Sequence, residues 1–85
     1  MPYEVIVPEP IEKEIRKRLD KHLVLRLNKR IEKLEENPEI HGKPLRFPMA
    51  GTWEIRFEKR WRILYEIDFQ KKQIIIVGLK HKDEM

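Results

Sequence analysis

Apolar residues recur along the first half of the chain with the spacing of amphipathic helices. Ile11, Ile15 and Leu19 form one stripe, and a second stripe follows after a short break: Leu23, Leu27, Ile31 and Leu34. Asp20 precedes the second stripe and is a good N-cap residue, while the Asn-Pro pair at 37–38 ends it. We therefore predict two short helices in an antiparallel hairpin.

The other segments have the patterns of strands. Residues 3–7 are apolar and β-branched, and the prolines at 8 and 10 end this segment. Residues 53–57 and 61–67 alternate between apolar and polar positions, which indicates strands with one buried face. Residues 73–79 are apolar on both faces and are expected to form the central strand.

These elements follow in the order β-α-α-β-β-β, with residues 39–50 as an extended loop before the second strand. We expect an α+β fold in which the helical hairpin packs on one face of a small antiparallel sheet. Since 85 residues are the size of one domain, residues 1–85 are expected to form a single unit.

The register of the second and third strands follows from the rule that cross-strand partners share a face. A turn at residues 58–60 would pair Phe57 with Trp61 and make one face consistently apolar. The same register places Arg56 directly opposite Arg62 on the other face.

Two arginines in these positions repel each other, and like charges directly opposite destabilise a sheet. One interpretation is that Glu54 and Glu66, which flank the pair on the same face, neutralise it. The other is that the pair binds an anion, because two guanidinium groups suit a phosphate.

Further basic residues are expected near this pair. Lys80 shares the parity of residues 74, 76 and 78 along the last strand and would meet the same phosphate, and Lys43 and Arg46 in the preceding loop can reach the same region. His81 stands between two lysines just beyond the strand. It is either an acid or base that acts near neutral pH or an exposed tail residue.

The composition narrows the class of partner. Lys and Arg number 19 against 15 Asp and Glu, which gives a net charge of +4 and favours nucleic acid, an acidic protein or an anionic membrane surface. The chain has no cysteine and its three histidines lack metal spacing, so we expect neither a metal site nor a cofactor. With no apolar run near ~20 residues and no signal-peptide pattern at the start, a cytoplasmic protein without a membrane partner is expected.

The basic residues of the two helices interleave with glutamates at helical spacings. We interpret them as a solvated, ion-paired surface. These basic residues are Lys13, Arg16, Lys17, Arg18, Lys29, Arg30 and Lys33. His22 and His41 are likewise interpreted as surface residues, whereas the residues Trp53, Trp61 and Tyr65 are assigned to the core.

Together, several motifs resemble the RelE/ParE superfamily of type II toxins. They are Gly-Lys-Pro-Leu at 42–45, Gly-Thr-Trp-Glu-Ile-Arg at 51–56, Trp-Arg-Ile-Leu-Tyr at 61–65 and Val-Gly-Leu-Lys-His-Lys at 77–82. The resemblance covers nearly the whole chain, and the first two motifs are also similar to the YoeB branch. It implies ribosome-dependent, metal-independent cleavage of mRNA by attack of the ribose 2′-hydroxyl on the adjacent phosphate. It also implies a cognate antitoxin, similar to RelB.

The resemblance assigns roles to individual residues. Arg62 matches the arginine that would stabilise the phosphorane, and Arg56 matches a basic position that holds the phosphate. Lys80 and Lys82 match basic positions of the C-terminal segment, where they would bind RNA.

Two acid–base candidates also come from the resemblance. His81 lies close to where YoeB-like members keep a histidine near the C-terminus, and Glu39 matches by spacing the glutamate that such members use as a base. The chain departs from RelE at Glu54, where RelE has a lysine, and at Lys80, where RelE has an arginine. Most members also have a tyrosine near the C-terminus, and residues 80–85 contain none.

Two alternative functions stay open. A degenerate, catalytically weak toxin that only binds its antitoxin is supported by Glu54 and by the absent tyrosine. A ParE-like inhibitor of DNA gyrase is the other, although the arginine pair argues against it. The sequence does not determine the oligomeric state.

Overall fold

A five-stranded sheet carries the helices on one of its faces in the computed structural model, which describes residues 2–46 and 48–84. The elements are β1 (Glu4–Ile6), α1 (Glu9–Arg18), α2 (Lys21–Glu36), α3 (Pro38–His41), β2 (Lys43–Pro44), β3 (Trp53–Phe57), β4 (Trp61–Asp68), β5 (Gln73–His81) and a closing 3₁₀ turn (Lys82–Glu84). The α+β fold predicted from the sequence is confirmed.

The predicted helical hairpin is present, with its break at the expected place. Pro10 lies in the first turn of α1, where its missing N–H leaves no bond unmade. The Asp20 side chain caps α2 by accepting a hydrogen bond from the Leu23 N–H at 2.9 Å. Both helices bury a narrow apolar stripe against the sheet, at Ile15 of α1 and at Leu27 and Leu34 of α2, and Leu19 at the end of α1 is buried with them.

The strand order is β1-β5-β4-β3-β2, and the pairs among β2 to β5 are antiparallel. However, β1 pairs with β5 in parallel, so the prediction of a wholly antiparallel sheet was wrong for this strand. The alternation of apolar residues predicts which face of a strand is buried, but it does not predict which strand lies beside it or in which direction. The sequence therefore did not indicate the parallel pairing of β1 with β5. The segment predicted as a loop at 39–50 also contains the short elements α3 and β2.

The predicted register of β3 and β4 is confirmed. Phe57 pairs with Trp61, and Arg56 pairs with Arg62. The turn between the strands uses a left-handed backbone at two residues, Glu58 and Lys59. The helix-covered face of the sheet is buried at Ile55, Phe57, Ile63, Tyr65, Ile74, Ile76 and Leu79, with the residues Trp53 and Trp61 packed against it.

A β-bulge in β5 changes which residues share a face. Leu64 pairs with Gly78, but Tyr65 pairs with Ile76, so Val77 has no partner on β4. Before the bulge, Ile76 points towards the helices. After it, Gly78 and Lys80 lie on the opposite face. The expectation that Lys80 shares a face with residues 74 and 76 was therefore wrong, although its expected closeness to Arg62 was right.

Candidate functional site

Three basic residues lie side by side on the sheet face opposite the helices. Arg56 pairs with Arg62, and Arg62 pairs with Lys80, so the three occupy one line across β3, β4 and β5. We call them the basic row. Arg56 and Lys80 are exposed, whereas the Arg62 side chain is 25% exposed. Because adjacent strands are about 4.8 Å apart, the row spans about 10 Å.

The carboxylate of Glu54 lies beside this row and is almost completely buried, with 2% of its side chain exposed. Arg62 Nη1 donates a hydrogen bond to Glu54 Oε2 at 3.4 Å. Glu54 Oε1 is 3.9 Å from Nζ of Lys43, which is its direct partner on β2. Glu54 thus neutralises part of the arginine pair, while Glu66 makes no ion pair with any described residue.

The remaining charge next to the basic row is positive. Arg56, Arg62, Lys80 and Lys43 are four cations around the single Glu54 carboxylate. Within residues 2–46 and 48–84, neither Arg56 nor Lys80 has a carboxylate partner. An anion at the row is therefore attracted by uncompensated charge, and the Arg62 guanidinium can offer it two parallel N–H groups.

Two other predicted basic residues lie outside the row. Arg46 is exposed in the loop after β2, where its carbonyl accepts a hydrogen bond from the Met49 N–H at 2.9 Å. Lys82 is exposed in the closing turn, and its backbone N–H donates to the Arg60 carbonyl at 2.7 Å. This bond fastens the end of the chain to the β3–β4 hairpin.

His81 is not beside the arginine pair, so the expectation that placed it there was wrong. It pairs with Trp61, and the two rings meet edge to face with centroids 5.0 Å apart. Its Nδ1 accepts a hydrogen bond from the Asp83 N–H at 3.3 Å. Since successive strand residues point to opposite faces, His81 shares the face of Trp61, and Lys80 shares that of Arg62.

Glu39 lies in α3 and is exposed, with no ion pair to any described residue. The helix is fixed by the buried Tyr65 hydroxyl, which donates a hydrogen bond to the Pro38 carbonyl at 2.7 Å. Burial raises the pKa of Tyr65, so its hydroxyl keeps the proton that this bond needs. The roles of Glu39 and His81 stay predictions.

The helical cations divide into two groups. On α1 they form three i,i+4 ion pairs, namely Lys13–Glu9, Arg16–Glu12 and Arg18–Glu14. On α2, Arg26 pairs with Glu58 of the β3–β4 turn. In the part of the chain that the structure describes, Lys17 on α1 and Lys29, Arg30 and Lys33 on α2 have no such partner. The interpretation of a solvated, ion-paired surface is confirmed for the three α1 pairs. These other four residues are exposed, but the expectation of ion pairs was wrong for them.

A groove of about 380 Å³ opens where β2 stops covering the edge of β3. It is lined by Arg30, His41, Lys43, Arg56 and Glu54, together with Gly42 and Ile55. We call it the edge groove. The sequence analysis missed Arg30 and His41, because their proximity depends on how far β2 extends.

Two further kinds of site were considered. Among the described residues, no three His, Asp or Glu side chains come together as metal ligands. In the same part of the chain, the helices are too short or too polar to cross a membrane.

Comparison with known proteins identifies the family. A chain of the toxin–antitoxin complex RelBE2 from Mycobacterium tuberculosis is 28% identical, with 95% of this chain and 99% of that chain covered and a TM-score of 0.85. The archaeal RelE–RelB complex from Pyrococcus horikoshii matches at 20% identity over 100% of both chains, with a TM-score of 0.78. The E. coli toxin RelE, in a mutant form, matches at 24% identity over 99% of this chain and 87% of that chain, with a TM-score of 0.82.

The last two matches show a shared fold, and a family model goes further. The model described as the ParE toxin of the type II toxin–antitoxin system parDE matches residues 11–85. This range includes most of α1, all of α2, the basic row and the edge groove. The chain therefore belongs to the ParE toxin family, within the RelE/ParE superfamily of type II toxins.

Proposed function

We propose that this toxin cuts mRNA on the ribosome by promoting attack of a ribose 2′-hydroxyl on the adjacent phosphate. The observation that carries the proposal is the basic row, in which Arg62 lies between Arg56 and Lys80. A structural sheet gains nothing from three neighbouring cations, because like charges across strands destabilise it. A phosphodiester at the row would remove this repulsion.

The chemistry needs such a row. A bond forms between the 2′-oxygen and phosphorus while the bond from phosphorus to the 5′-oxygen breaks, which leaves a cyclic phosphate and a 5′-hydroxyl. Negative charge accumulates on the non-bridging oxygens in the transition state, where fixed cations are most effective. Arg62 is the best placed residue for this, since Glu54 holds its guanidinium and limits its motion.

The reaction also moves two protons, one from the 2′-hydroxyl and one to the leaving 5′-oxygen. The family resemblance implies Glu39 and His81 for these transfers, but both lie outside the row. The proposal therefore rests on charge stabilisation by the row and on the orientation of the phosphate.

The decisive experiment maps RNA ends in a translating extract. Wild-type protein is expected to produce cuts in translated messages and none in the same RNA without ribosomes. Arg62→Ala should abolish the cuts, whereas Lys17→Ala, an exposed change on α1, should keep them. Cuts that persist with Arg62→Ala would remove the row from the mechanism.

A second candidate is inhibition of DNA gyrase, which the match to the ParE family model favours. A supercoiling assay with purified protein separates the two. Inhibition of gyrase without RNA cuts would replace the first proposal. RNA cuts without inhibition would exclude the second.

An antitoxin is the proposed protein partner, since two of the relatives above, from Mycobacterium tuberculosis and Pyrococcus horikoshii, were crystallised as complexes with antitoxins. A groove of about 490 Å³ between β1 and the two long helices offers apolar side chains, among them Val5, Val24 and Ile31. We propose that an amphipathic antitoxin segment lies there. Coexpression with the small reading frame next to the gene should restore growth. Tight binding in the absence of any growth arrest would instead indicate a degenerate toxin.

A further inference from the structure

The edge groove holds more positive charge than the described carboxylates neutralise. Its walls carry three cations, Arg30 on α2, Lys43 on β2 and Arg56 on β3, together with the imidazole of His41 at the end of α3. Over the described residues, Lys43 alone among these four lies within 4.0 Å of a carboxylate, that of Glu54. We propose that this groove is a second phosphate subsite, which holds a nucleotide next to the one at the basic row. The proposal rests on the function proposed above.

The groove exists because β2 is short. It pairs only Lys43 and Pro44 with β3, so residues 55–57, which pair with β4 on one side, have no strand on their other side in the described part of the chain. The helix α2 brings Arg30 alongside this free edge. A volume of about 380 Å³ falls within the range of roughly 300–1,000 Å³ that is usual for small-ligand sites, so a phosphate with its ribose fits.

The groove and the basic row are continuous. Arg56 belongs to both, since it pairs with Arg62 and also lines the groove. Glu54 joins them a second time, with one carboxylate oxygen on Arg62 and the other near Lys43. The cations thus follow a track from Lys80 across three strands and over the sheet edge.

A nucleic-acid backbone fits this track better than a single anion does. It carries a negative charge on every nucleotide, so the same molecule can occupy the row and the groove together. Arginine and lysine supply charge in the groove, and a histidine ring supplies an N–H donor whether or not it is protonated. Since the row is proposed to hold the cleaved phosphate, the groove receives a neighbouring phosphate of the same strand.

The test measures binding separately from cleavage. A short, fluorescently labelled single-stranded RNA with 2′-O-methyl groups cannot be cut, because it has no 2′ nucleophile. Its affinity is measured by anisotropy over a series of salt concentrations. The double variant Arg30→Ala/His41→Ala should bind several-fold more weakly, and the slope of log affinity against log salt should shrink by about 0.7 for one lost phosphate contact.

The matched control is Lys17→Ala/His22→Ala, which removes one cation and one histidine from exposed positions outside the groove. It should keep the wild-type slope. Arg30→Lys should keep most of the affinity, because it retains the charge. Thermal unfolding of each variant shows that the fold persists, as expected for exposed side chains.

The outcomes separate the two proposals. Equal effects of the groove variant and its control, with weakening by Arg62→Ala, would overturn the second subsite and leave the row intact. RNA binding that is absent, or that is unaffected by Arg62→Ala, would overturn both. If the groove variant lost affinity for an acidic antitoxin peptide but not for RNA, the groove would belong to the protein partner and this proposal would fail.

Discussion

The carboxylate of Glu54 holds the guanidinium of Arg62 from below the surface: Oε2 lies 3.4 Å from Nη1, and only 2% of the glutamate side chain is exposed. The contact limits where Arg62 can point, because the carboxylate sits on a rigid strand. The negative charge of Glu54 also lowers the net positive charge of the basic row, where a phosphate would bind. Glu54 therefore acts on orientation and on affinity in opposite directions.

Replacing Glu54 by glutamine should separate these two effects. Glu54→Gln keeps an oxygen that can accept from Arg62 but removes the charge. We expect KM for RNA cleavage to fall, because the face becomes more positive, and kcat to fall about tenfold, because Arg62 is held less firmly. Glu66→Gln is the control, since it removes the same charge from a residue on the same face that makes no ion pair with any described residue. Equal kcat values for the two variants would refute the positioning role.

The geometry of Arg62 should matter as well as its charge. Arg62→Lys keeps the positive charge but loses the planar fork that can bind two phosphate oxygens. We expect the cleavage rate to fall by about 10²-fold with little loss of RNA affinity. Arg60→Lys, an exposed change in the adjacent turn, should have no effect. Full activity of Arg62→Lys would show that charge alone suffices.

His81 should contribute to stability rather than to proton transfer. His81→Gln removes the edge-to-face contact with Trp61 and is expected to lower the free energy of unfolding by about 1 kcal/mol. The pH profile of cleavage should keep its shape, because the imidazole lies on the other face from Arg62. His22→Gln, at an exposed position, serves as the control. Loss of one limb of the pH profile in His81→Gln would restore its predicted role as an acid or base.

Tyr65 should make the fold sensitive to high pH. Its pKa is raised by burial in the folded state, so the unfolded chain loses this proton first as the pH rises. The stability that it contributes is fully present below about pH 10 and is lost progressively above that value. Urea unfolding at several pH values should show the loss in the wild type and a smaller one in Tyr65→Phe. At neutral pH, Tyr65→Phe should cost about 1–3 kcal/mol, because the Pro38 carbonyl loses its donor.

Gly42 should tolerate no side chain, for a steric reason. A methyl group there would overlap the Tyr65 hydroxyl oxygen and press on the Glu54 carbonyl. Gly42→Ala is therefore expected to lower the free energy of unfolding by about 1–3 kcal/mol. Gly78→Ala is the matched control, because its added methyl group meets only Leu64 at ordinary contact distance. Equal stabilities of the two variants would contradict the close approach at Gly42.

The register of β3 and β4 could be predicted because the alternation of apolar residues permits only one coherent face. The partner of β1 could not, since a three-residue strand carries no information about its neighbour. The position of His81 was misjudged for a related reason, because nearness in sequence to Lys80 does not mean a shared face of the sheet.

A pattern in the sequence predicts that Lys29, Arg30 and Lys33 of α2 make no ion pair with the described carboxylates. Each paired cation of α1 has a glutamate four residues earlier, the favourable order for a helical ion pair. Four residues before Lys33 stands Lys29, and four before Arg30 stands Arg26. Counting glutamates at the correct offset, rather than their overall abundance, would have indicated a free basic surface.

The bulge at Val77 means that β5 consists of two halves that are out of phase by one residue. The first half is in phase with the core, where Ile74 and Ile76 are fully buried, and the second half is in phase with Arg62 through Lys80. In a regular strand with this sequence, one of these two sets would face the wrong side. The one extra residue, Val77, thus allows a continuous strand to place Ile74 and Ile76 in the core and Lys80 on the cationic face. Substitution of Val77 cannot undo this arrangement, because the phase depends on the number of residues and not on their side chains.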